Sequence, residues 1–224
     1  MSEFNKSAWD FSRFIQTLNY FEAIPLLSWV QKMFSGSTPP PAPQPQAGIV
    51  FDFRASSTPL SQTWGALDDV VMGGVSASTL QQEPEGALFT GYVSTANSGG
   101  FASARTRNFE PPLNVAGYAG LELSLKGDGK RYKFLTRDED SWDSVAYAYS
   151  FDTTPGIWKT VRIPFADLVP VFRAKTVKNG SSLNTSRIRS LQLMLSKFEY
   201  DGVLNPHFEP GSFTLLVQSI GAYL

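Results

Sequence analysis

The chain has 224 residues, of which 42% are hydrophobic and 17% charged, as is typical of a globular protein with a substantial core. Its formal net charge of -1 gives no electrostatic reason to expect a nucleic acid or an anionic lipid as the partner. Because there are no cysteines, the sequence excludes disulfide bonds, thiolate metal sites and a cysteine nucleophile, and it is compatible with a reducing compartment.

Residues 8–34 are predicted to form a helix in two pieces, because apolar residues recur there at intervals of three and four. Pro25 breaks this helix or opens its second piece. The longest apolar cluster, residues 23–30, is far shorter than the ~20 residues that span a bilayer, and the first residues lack the pattern of a signal peptide. The predicted apolar stripe consists of Phe11, Phe14, Ile15, Leu18 and Phe21, continued by Leu26, Trp29, Val30 and Met33.

Residues 35–47 contain five prolines among Gly, Ser and Gln, a composition that predicts a semi-rigid polyproline-type linker. We therefore expect residues 1–34 to form a helical segment tethered to a separate domain at residues 48–224. The alternative, that the helix packs back onto its own domain, stays open at this point. A tethered stripe needs a partner surface, and its balanced charges favour a groove on a membrane protein over bare lipid.

From residue 48 onward the hydrophobic period changes to two, which predicts half-buried β-strands separated by Gly, Pro, Asn and Asp turn signals. Because no long helical pattern intervenes, the domain is predicted to be all-β, an antiparallel sandwich of jelly-roll type. Residues 165–169 are predicted to form a single helical turn. The predicted strands are 49–54, 75–80, 87–94, 101–106, 120–126, 131–137, 145–151, 158–163, 171–177, 188–196 and 213–222.

Residues 64–76, which we call the signature loop, combine a tryptophan, two carboxylates, a methionine and a glycine pair. The glycines permit a positive φ or a close backbone approach, and the carboxylates can accept hydrogen bonds from the amides of a tight turn. A recognition loop on the rim of the β-domain is the other interpretation. We hypothesise that Asp69, Gly73 and Gly74 fix a buried turn above Trp64, so that valine at either glycine costs about 1–3 kcal/mol where φ is positive.

Two further clusters suggest ligands but have simpler interpretations. The acidic residues of segment 138–143 could bind Ca²⁺, yet their spacing matches no defined calcium loop and is that of a solvated hairpin tip. The basic residues of segment 126–137 are interleaved with Tyr132 and Phe134, an arrangement that can bind single-stranded nucleic acid. Alternation places these two aromatic rings in the core, so we expect an ordinary solvated basic face. The acidic residues are Asp138, Glu139, Asp140 and Asp143, and the basic ones Lys126, Lys130, Arg131, Lys133 and Arg137.

Catalytic motifs are not evident. The single histidine, His207, lies in a loop sequence, and no Gly-x-Ser-x-Gly elbow accompanies it. Gly127-Asp128-Gly129 is interpreted as a hairpin turn and not as a dinucleotide fingerprint, and no phosphate-binding P-loop is present. We therefore expect no cofactor, no metal ion and no nucleic acid.

An ordered series of motifs over residues 49–224 carries a family resemblance. It begins with Trp64, Asp69, Met72, Gly73, Gly74 and Ser76, and continues with Gly99-Gly100-Phe101-Ala102-Ser103-x-Arg105, Lys126-Gly127-Asp128-Gly129-x-x-Tyr132 and Trp158-x-x-Val161-x-Ile163-Pro164-Phe165. This series resembles the complex I intermediate-associated protein domain, the thirty-kilodalton assembly-factor family. One departure is Arg173-Ala174-Lys175, where the family often has Arg-Gly. The candidate site residues are Trp64, Asp68, Asp69, Met72, Gly73, Gly74, Ser76, Gly99, Gly100, Phe101 and Arg105.

The resemblance implies a galactose-binding-like β-sandwich and a non-enzymatic assembly or scaffold role for a multisubunit membrane complex, either respiratory complex I or a photosynthetic complex. Its implied partners are subunits or assembly intermediates of that complex, at the cytoplasmic side of a thylakoid or plasma membrane. Two alternatives remain. A carbohydrate-binding module of the same fold class would use Trp64, Trp142 and Trp158 for stacking, and a hydrolase would use Asp68 and Asp69.

Overall fold

The structure is a computed structural model and describes residues 9–21, 23, 43, 45, 48–55 and 58–224. Most of the proline-rich segment and the second half of the predicted stripe lie outside these described residues. That half comprises Leu26, Trp29, Val30 and Met33. In the part of the chain that the structure describes, none of the helices is long and apolar enough to cross a membrane.

The alternating segments form two antiparallel sheets, which confirms the predicted jelly-roll-type β-sandwich. The first sheet has the strand order β3-β4-β13-β6-β9, with β1 also paired to β13, and the second has the order β11-β10-β8-β7-β12-β5-β2. The strands are β1 (Ile49–Asp52), β2 (Trp64–Ala66), β3 (Ala77–Glu83), β4 (Gly86–Val93), β5 (Phe101–Thr106), β6 (Gly120–Lys126), β7 (Arg131–Arg137), β8 (Ala146–Asp152), β9 (Trp158–Pro164), β10 (Val169–Phe172), β11 (Lys175–Thr176), β12 (Ser190–Ser196) and β13 (Gly211–Tyr223). The helices are α1 (Phe11–Tyr20) and α2 (Leu60–Thr63), with 3₁₀ turns at Asp69–Met72, Ala96–Ser98 and Phe165–Asp167.

The core lies between the sheets, where every second residue of the central strands is buried. Each of these large side chains contributes ~1.5–3 kcal/mol by leaving water, so the alternation that predicted the strands is also what holds the two layers together. The inward-facing sets include Leu121, Leu123 and Leu125 of β6, Leu191, Leu193 and Leu195 of β12, and Phe213, Leu215 and Val217 of β13.

Two differences from the predicted strands have local causes. Segment 171–177 is two strands, because Phe172 pairs with Lys175 around a two-residue turn. In that turn Arg173 and Ala174 have φ values of 49° and 60°, the left-handed geometry that tight hairpins require. Ala174 therefore adopts a positive φ, a conformation that glycine tolerates more readily than alanine. Strand β2 was not predicted, since three residues are too few to show alternation.

The prediction of a solvated basic face on β7 is wrong for Lys133. Its side chain is buried, and its Nζ donates hydrogen bonds to the main-chain carbonyls of Phe198 and Glu199. Burial lowers the pKa of Lys133 to about 8. Tyr132 and Phe134 lie in the core as expected. The alternation was therefore interpreted correctly, but the segment after β12, which contains Phe198 and Glu199, covers the opposite face of β7. The pattern of a single strand does not reveal such a distant contact.

Residues 9–21, which we call the N-terminal arm, pack against the sandwich. The expectation of a helix held away from its own domain is therefore wrong for these residues. Helix α1 begins after Asp10, whose carboxylate accepts a hydrogen bond from the Arg13 amide at 3.1 Å as an N-cap. Phe11 remains exposed, whereas the other members of the described stripe are half-buried, namely Phe14, Ile15, Leu18 and Phe21.

Candidate functional site

The signature loop leaves β2, forms the 3₁₀ turn Asp69–Met72 and reverses at Gly73. Gly73 has a φ of 90°, in the left-handed region that a residue with a Cβ rarely adopts. The Gly73 amide donates to the Val70 carbonyl at 3.2 Å, and the Gly74 amide donates to the Asp69 carbonyl at 2.9 Å. The loop is thus a closed turn whose reversal depends on a glycine.

Asp69 anchors this turn to two other segments. Its buried carboxylate accepts hydrogen bonds from the Ser76 amide at 2.9 Å and from the Ser76 hydroxyl at 2.7 Å. It also accepts from the Gly100 amide at 2.7 Å and from the Phe101 amide at 3.3 Å. The Ser76 hydroxyl accepts in turn from the Ser94 amide at 2.9 Å. Asp69 therefore ties the signature loop to the connection that leads into β5.

Asp68 performs a parallel role on the neighbouring strands. Its buried carboxylate accepts from the Ser78 amide at 2.9 Å, from the Ser78 hydroxyl at 2.6 Å and from the Ser103 amide at 3.0 Å. The fourth donor is the Arg13 guanidinium, whose Nη2 lies 3.0 Å from Oδ2. Burial raises the pKa of Asp68, while the hydrogen bonds from Ser78 and Ser103 and the charge of Arg13 act in the opposite direction.

The glycines of the site make room for Asp69. A Cβ added at Gly74 would lie 2.3 Å from the Asp69 Cγ, and one at Gly99 would lie 2.5 Å from its Oδ2. At Gly73, by contrast, a Cβ would meet nothing within 4 Å. Glycine is therefore needed at the two positions of the signature loop for different reasons. Gly73 requires a left-handed backbone conformation, and Gly74 requires space for the Asp69 carboxylate.

This separation predicts unequal costs for alanine at the two positions. Gly73→Ala is expected to lower the free energy of unfolding by about 1 kcal/mol, because it adds only left-handed strain. Gly74→Ala is expected to cost about 1–3 kcal/mol, because it displaces the Asp69 carboxylate from its donors. Urea denaturation of both variants checks this order. An equal or reversed order would contradict the packing role of Gly74. Gly117→Ala is the control, because a Cβ at Gly117 meets nothing within 4 Å and its φ is not positive.

The N-terminal arm is fixed to the signature loop by polar contacts as well as by its apolar stripe. The Trp9 indole donates from Nε1 to the Val70 carbonyl at 2.8 Å, and Arg13 Nη1 donates to the Ser76 carbonyl at 3.1 Å. At the far end of α1, the Tyr20 hydroxyl donates to the Ser61 carbonyl at 2.9 Å. The arm therefore closes over Asp68 and supplies its positively charged partner.

A cleft of about 590 Å³ separates the start of the arm from the turn of the signature loop. The arm and the turn that meet at this cleft carry exposed apolar side chains, and we call Trp9, Phe11 and Met72 together the exposed apolar patch. Met72 ends the 3₁₀ turn on which Trp9 is anchored. The residues that line the cleft are Trp9, Asp10, Phe11, Ser12, Arg13, Val70, Gly74 and Val75.

The other predicted site residues are distributed over the molecule. Trp64 is buried in the core with its ring against Phe51 and Phe53, so it does not form a platform under the turn. Gly100 and Phe101 belong to the Asp69 network described above. Arg105 is buried on the outer face of β5, away from the turn.

Sequence reasoning missed three contributors, Arg13, Ser78 and Ser103. Arg13 was counted only as one of several balanced charges. A signal for Ser78 was available, because Ser76 and Ser78 are two residues apart and so share one face of a strand opposite two adjacent aspartates. Nothing in the local sequence indicates that Ser103 or Arg13 would reach the same carboxylate.

The acidic run of the β7–β8 connection is engaged by arginines and main-chain groups. Asp140 pairs with Arg187 and Arg189, and Asp143 pairs with Arg173. Within the described residues, no group of three or more His, Cys, Asp or Glu side chains is placed to hold a metal ion. The geometry of this run is that of a hairpin tip braced by ion pairs.

Comparison with known proteins places the chain in a family. The sequence model of the Complex I intermediate-associated protein 30 (CIA30) family matches residues 51–217. The chain belongs to this family. An uncharacterized protein of Schizosaccharomyces pombe is 31% identical over 166 residues, which cover 64% of this chain and 76% of that protein. The CIA30 match includes the whole signature loop and the strands that Asp69 ties together.

Solved structures resemble the chain at the level of the fold. The family 11 carbohydrate-binding module from Clostridium thermocellum, in complex with a β-1,3-1,4-mixed-linked tetrasaccharide, has a TM-score of 0.53 at 16% identity and covers 79% of this chain and 96% of its own. The family 11 module of the cellulosomal cellulase Lic26A-Cel5E of the same organism has a TM-score of 0.54 at 16% identity, with coverage of 79% and 95%. Both similarities support the jelly-roll-type sandwich at the level of the fold.

Proposed function

We propose that this CIA30-family protein is a non-enzymatic assembly factor that binds a subunit of a multisubunit membrane complex, of the complex I or photosynthetic type. The family match over residues 51–217 carries the proposal. The site geometry supports a structural role for its carboxylates, because Asp68 and Asp69 are buried and each accepts four hydrogen bonds from the protein itself. A carboxylate held in this way braces loops and is poorly placed to exchange protons with a substrate.

The exposed apolar patch is the surface that we assign to the client subunit. Phe11 is 61% exposed and Met72 77% exposed, and the Trp9 and Phe11 ring centroids lie 5.7 Å apart. Aromatic residues and methionine are enriched in the centres of protein interfaces. Asp10 and Arg13 flank the patch with opposite charges, so anionic lipid gains little there and a protein partner is favoured. We place this contact at the cytoplasmic side of a thylakoid or plasma membrane.

The positions of the three tryptophans argue against the carbohydrate-binding alternative. Trp64 is buried in the core and cannot stack on a sugar ring. Trp142 lies in the β7–β8 connection of the second sheet, whereas Trp158 begins β9 of the first sheet. The three side chains therefore do not form one binding platform, and the fold similarity alone does not supply another.

The test is co-purification of the tagged full chain from native membranes solubilised in mild detergent, with the recovered proteins identified by mass spectrometry. Wild type is expected to recover subunits of one membrane complex or of its assembly intermediate. Phe11→Glu combined with Met72→Glu is expected to lose these subunits, because a charge at each exposed position prevents apolar burial. Its thermal unfolding should match wild type, since both side chains are mainly in solvent.

The matched control is Val203→Glu with Leu204→Glu, which are 62% and 60% exposed on a different part of the sandwich. This control should recover the same subunits as wild type. Phe14 and Leu18 are unsuitable for the purpose, because both are half-buried and charges there would also disturb arm docking. Equal recovery by the patch variant and wild type would overturn the assigned surface. Recovery of no complex subunit by any chain would overturn the proposed function.

A further inference from the structure

A group of buried polar atoms on the outer face of the second sheet has no partner among the protein's own atoms. In the described part of the chain, seven buried side-chain nitrogen or oxygen atoms make no hydrogen bond, although one of them, the Nε of Arg189, lies against the Asp140 carboxylate. Four of the seven lie on this one face, although such atoms are rare and usually scattered. They are the Nε atoms of Arg105, Arg107 and Arg137 and the hydroxyl of Ser190.

The strand register brings these groups together. Gln192 of β12 lies opposite Arg105 of β5, and Ser190 lies opposite Arg137 of β7. Arg137 donates from Nη1 to Gln192 Oε1 at 2.9 Å, while Gln192 Nε2 donates to the Ser103 hydroxyl at 2.9 Å. Gln192 thus lies on the strand between the two arginines and orients Arg137 by a hydrogen bond. Arg105 and Arg137 flank β12 on its two sides, at neighbouring outward-facing positions of the register.

The arginines with an unpartnered Nε on this face are not balanced by ion pairs, unlike Arg131 of β7, which pairs with Asp152 and Glu199. Among the described residues, Arg105, Arg107 and Arg137 form no salt bridge, although Arg105 is only 2% exposed. Burial, reinforced by the charge of Arg137, lowers the pKa of Arg105 well below its usual range. Burial also lowers the pKa of Arg137 to about 10. The carboxylate that partly offsets both charges is Asp143, which is hydrogen-bonded to the exposed Arg173.

Aromatic side chains cover the arginines without sealing them. The Arg105 Cζ lies 5.9 Å from the centroid of the Phe21 ring, and its Nη1 donates to the Trp142 carbonyl at 3.0 Å. The Phe21 and Trp142 rings are themselves 6.5 Å apart. Trp142 and Arg137 each keep part of their surface in solvent, so a small group can approach from the side of Arg137.

We propose that the outer face of β5, β12 and β7 is an oxyanion-binding site in which Arg105 and Arg137 bind a carboxylate or phosphate group of a ligand. A planar guanidinium presents paired donors that match either group, and the hydrogen bonds are strengthened by charge. A bound oxyanion supplies both the acceptor atoms and the negative charge that this face lacks. Buried charges in proteins are normally paired in this way. The site is independent of the client patch.

The test uses the full chain and measures binding of inorganic phosphate, and separately of succinate, by calorimetric titration and by thermal unfolding. Sodium chloride holds the ionic strength constant. Wild type is expected to show a saturable rise in the unfolding temperature with at least one of the two anions. Arg137→Gln is expected to weaken the binding at least tenfold. Arg162→Gln is the matched control, because that arginine is exposed and pairs with Glu122 on the other sheet, and it should bind as wild type does.

A response to phosphate alone assigns a phosphate group, a response to succinate alone assigns a carboxylate, and either supports the site. Absence of any saturable response in wild type overturns the proposal, since water then satisfies these atoms. An equal rise in wild type and Arg137→Gln also overturns it, because a general salt effect on stability acts on both. Should Arg137→Gln not fold, Arg137→Lys takes its place, because lysine keeps the charge but not the paired donors; weaker binding is expected, and unchanged binding would contradict the site.

Discussion

Replacing Asp69 by alanine is expected to lower the free energy of unfolding by about 3–5 kcal/mol. The change leaves three amides, two of them buried, and one hydroxyl without their acceptor, and each such group costs ~1–3 kcal/mol unless water reaches it. Partial rehydration of the loop keeps the total below the simple sum. Since domains of this size are stable by only ~5–15 kcal/mol, the variant should be marginally folded. Urea denaturation followed by tryptophan fluorescence measures the loss.

Asp69→Asn gives a graded version of the same experiment. One oxygen still accepts, and if it takes the Oδ2 position it keeps the Ser76 hydroxyl and the Gly100 and Phe101 amides. The new amide then faces the Ser76 amide, donor against donor. We expect a cost of about 1–2 kcal/mol. Asp167→Ala, at an exposed aspartate, is the control and should change stability by less than ~0.5 kcal/mol. Unchanged stability of Asp69→Asn would contradict the anchoring role and reopen a catalytic one.

The strands of the sandwich were predictable because the side chains that face the core recur with a period of two. Segments 101–106, 120–126 and 131–137 were predicted with the bounds that the structure shows. In these strands one face packs between the two sheets and carries the apolar residues that set the pattern, although the opposite face of β5 and β7 is buried as well. The prediction of strands fails where strand pairing, and not the burial of alternate side chains, determines the structure. Strand β2 is held by its pairing with β5, and its three residues, which include Gly65, carry no pattern of their own.

The candidate site was predictable in composition but not in its contacts. Two adjacent aspartates and a glycine pair indicated a turn with carboxylate acceptors, which is a local property. The donors, by contrast, come from segments far apart in the chain. Arg13 and Asp68 are separated by 55 positions, and no local pattern specifies that they meet. A helix with an apolar stripe can pack on any apolar surface. The sequence therefore does not determine whether the helix packs on its own domain or on a client protein.

Replacing Arg13 by methionine is expected to cost about 2–3 kcal/mol at pH 8 and less at acidic pH. The Asp68 side chain is fully buried, and Arg13 is its charged partner. Removing one member of a buried pair typically costs 3–5 kcal/mol, and the figure is lower here because Arg13 is one-third exposed. Methionine keeps most of the aliphatic length of the side chain, so the loss reports mainly the charge and its hydrogen bonds.

The pH dependence follows from the sign of the Asp68 shift. Burial already raises the pKa of Asp68, and loss of the Arg13 charge raises it further. Between the unfolded value of ~3.9 and the raised folded value, the native state binds more protons than the unfolded state, so stability increases as the pH falls. The deficit of Arg13→Met should therefore be full above the folded pKa of Asp68 in the variant and shrink as the pH falls through that value, because the neutral carboxyl no longer needs a charged partner.

Arg54→Met provides a matched control with the opposite sign. The Arg54 side-chain hydrogen bond lowers the pKa of Asp52, so its contribution is present above the unfolded value of ~3.9 and is lost only at more acidic pH. Between pH 5 and 8 the difference between this variant and wild type should be constant. Urea denaturation of the three chains at several pH values across that range makes the comparison. A deficit of Arg13→Met that is equally constant would show that Arg13 acts on the arm by packing alone and that Asp68 does not depend on its charge.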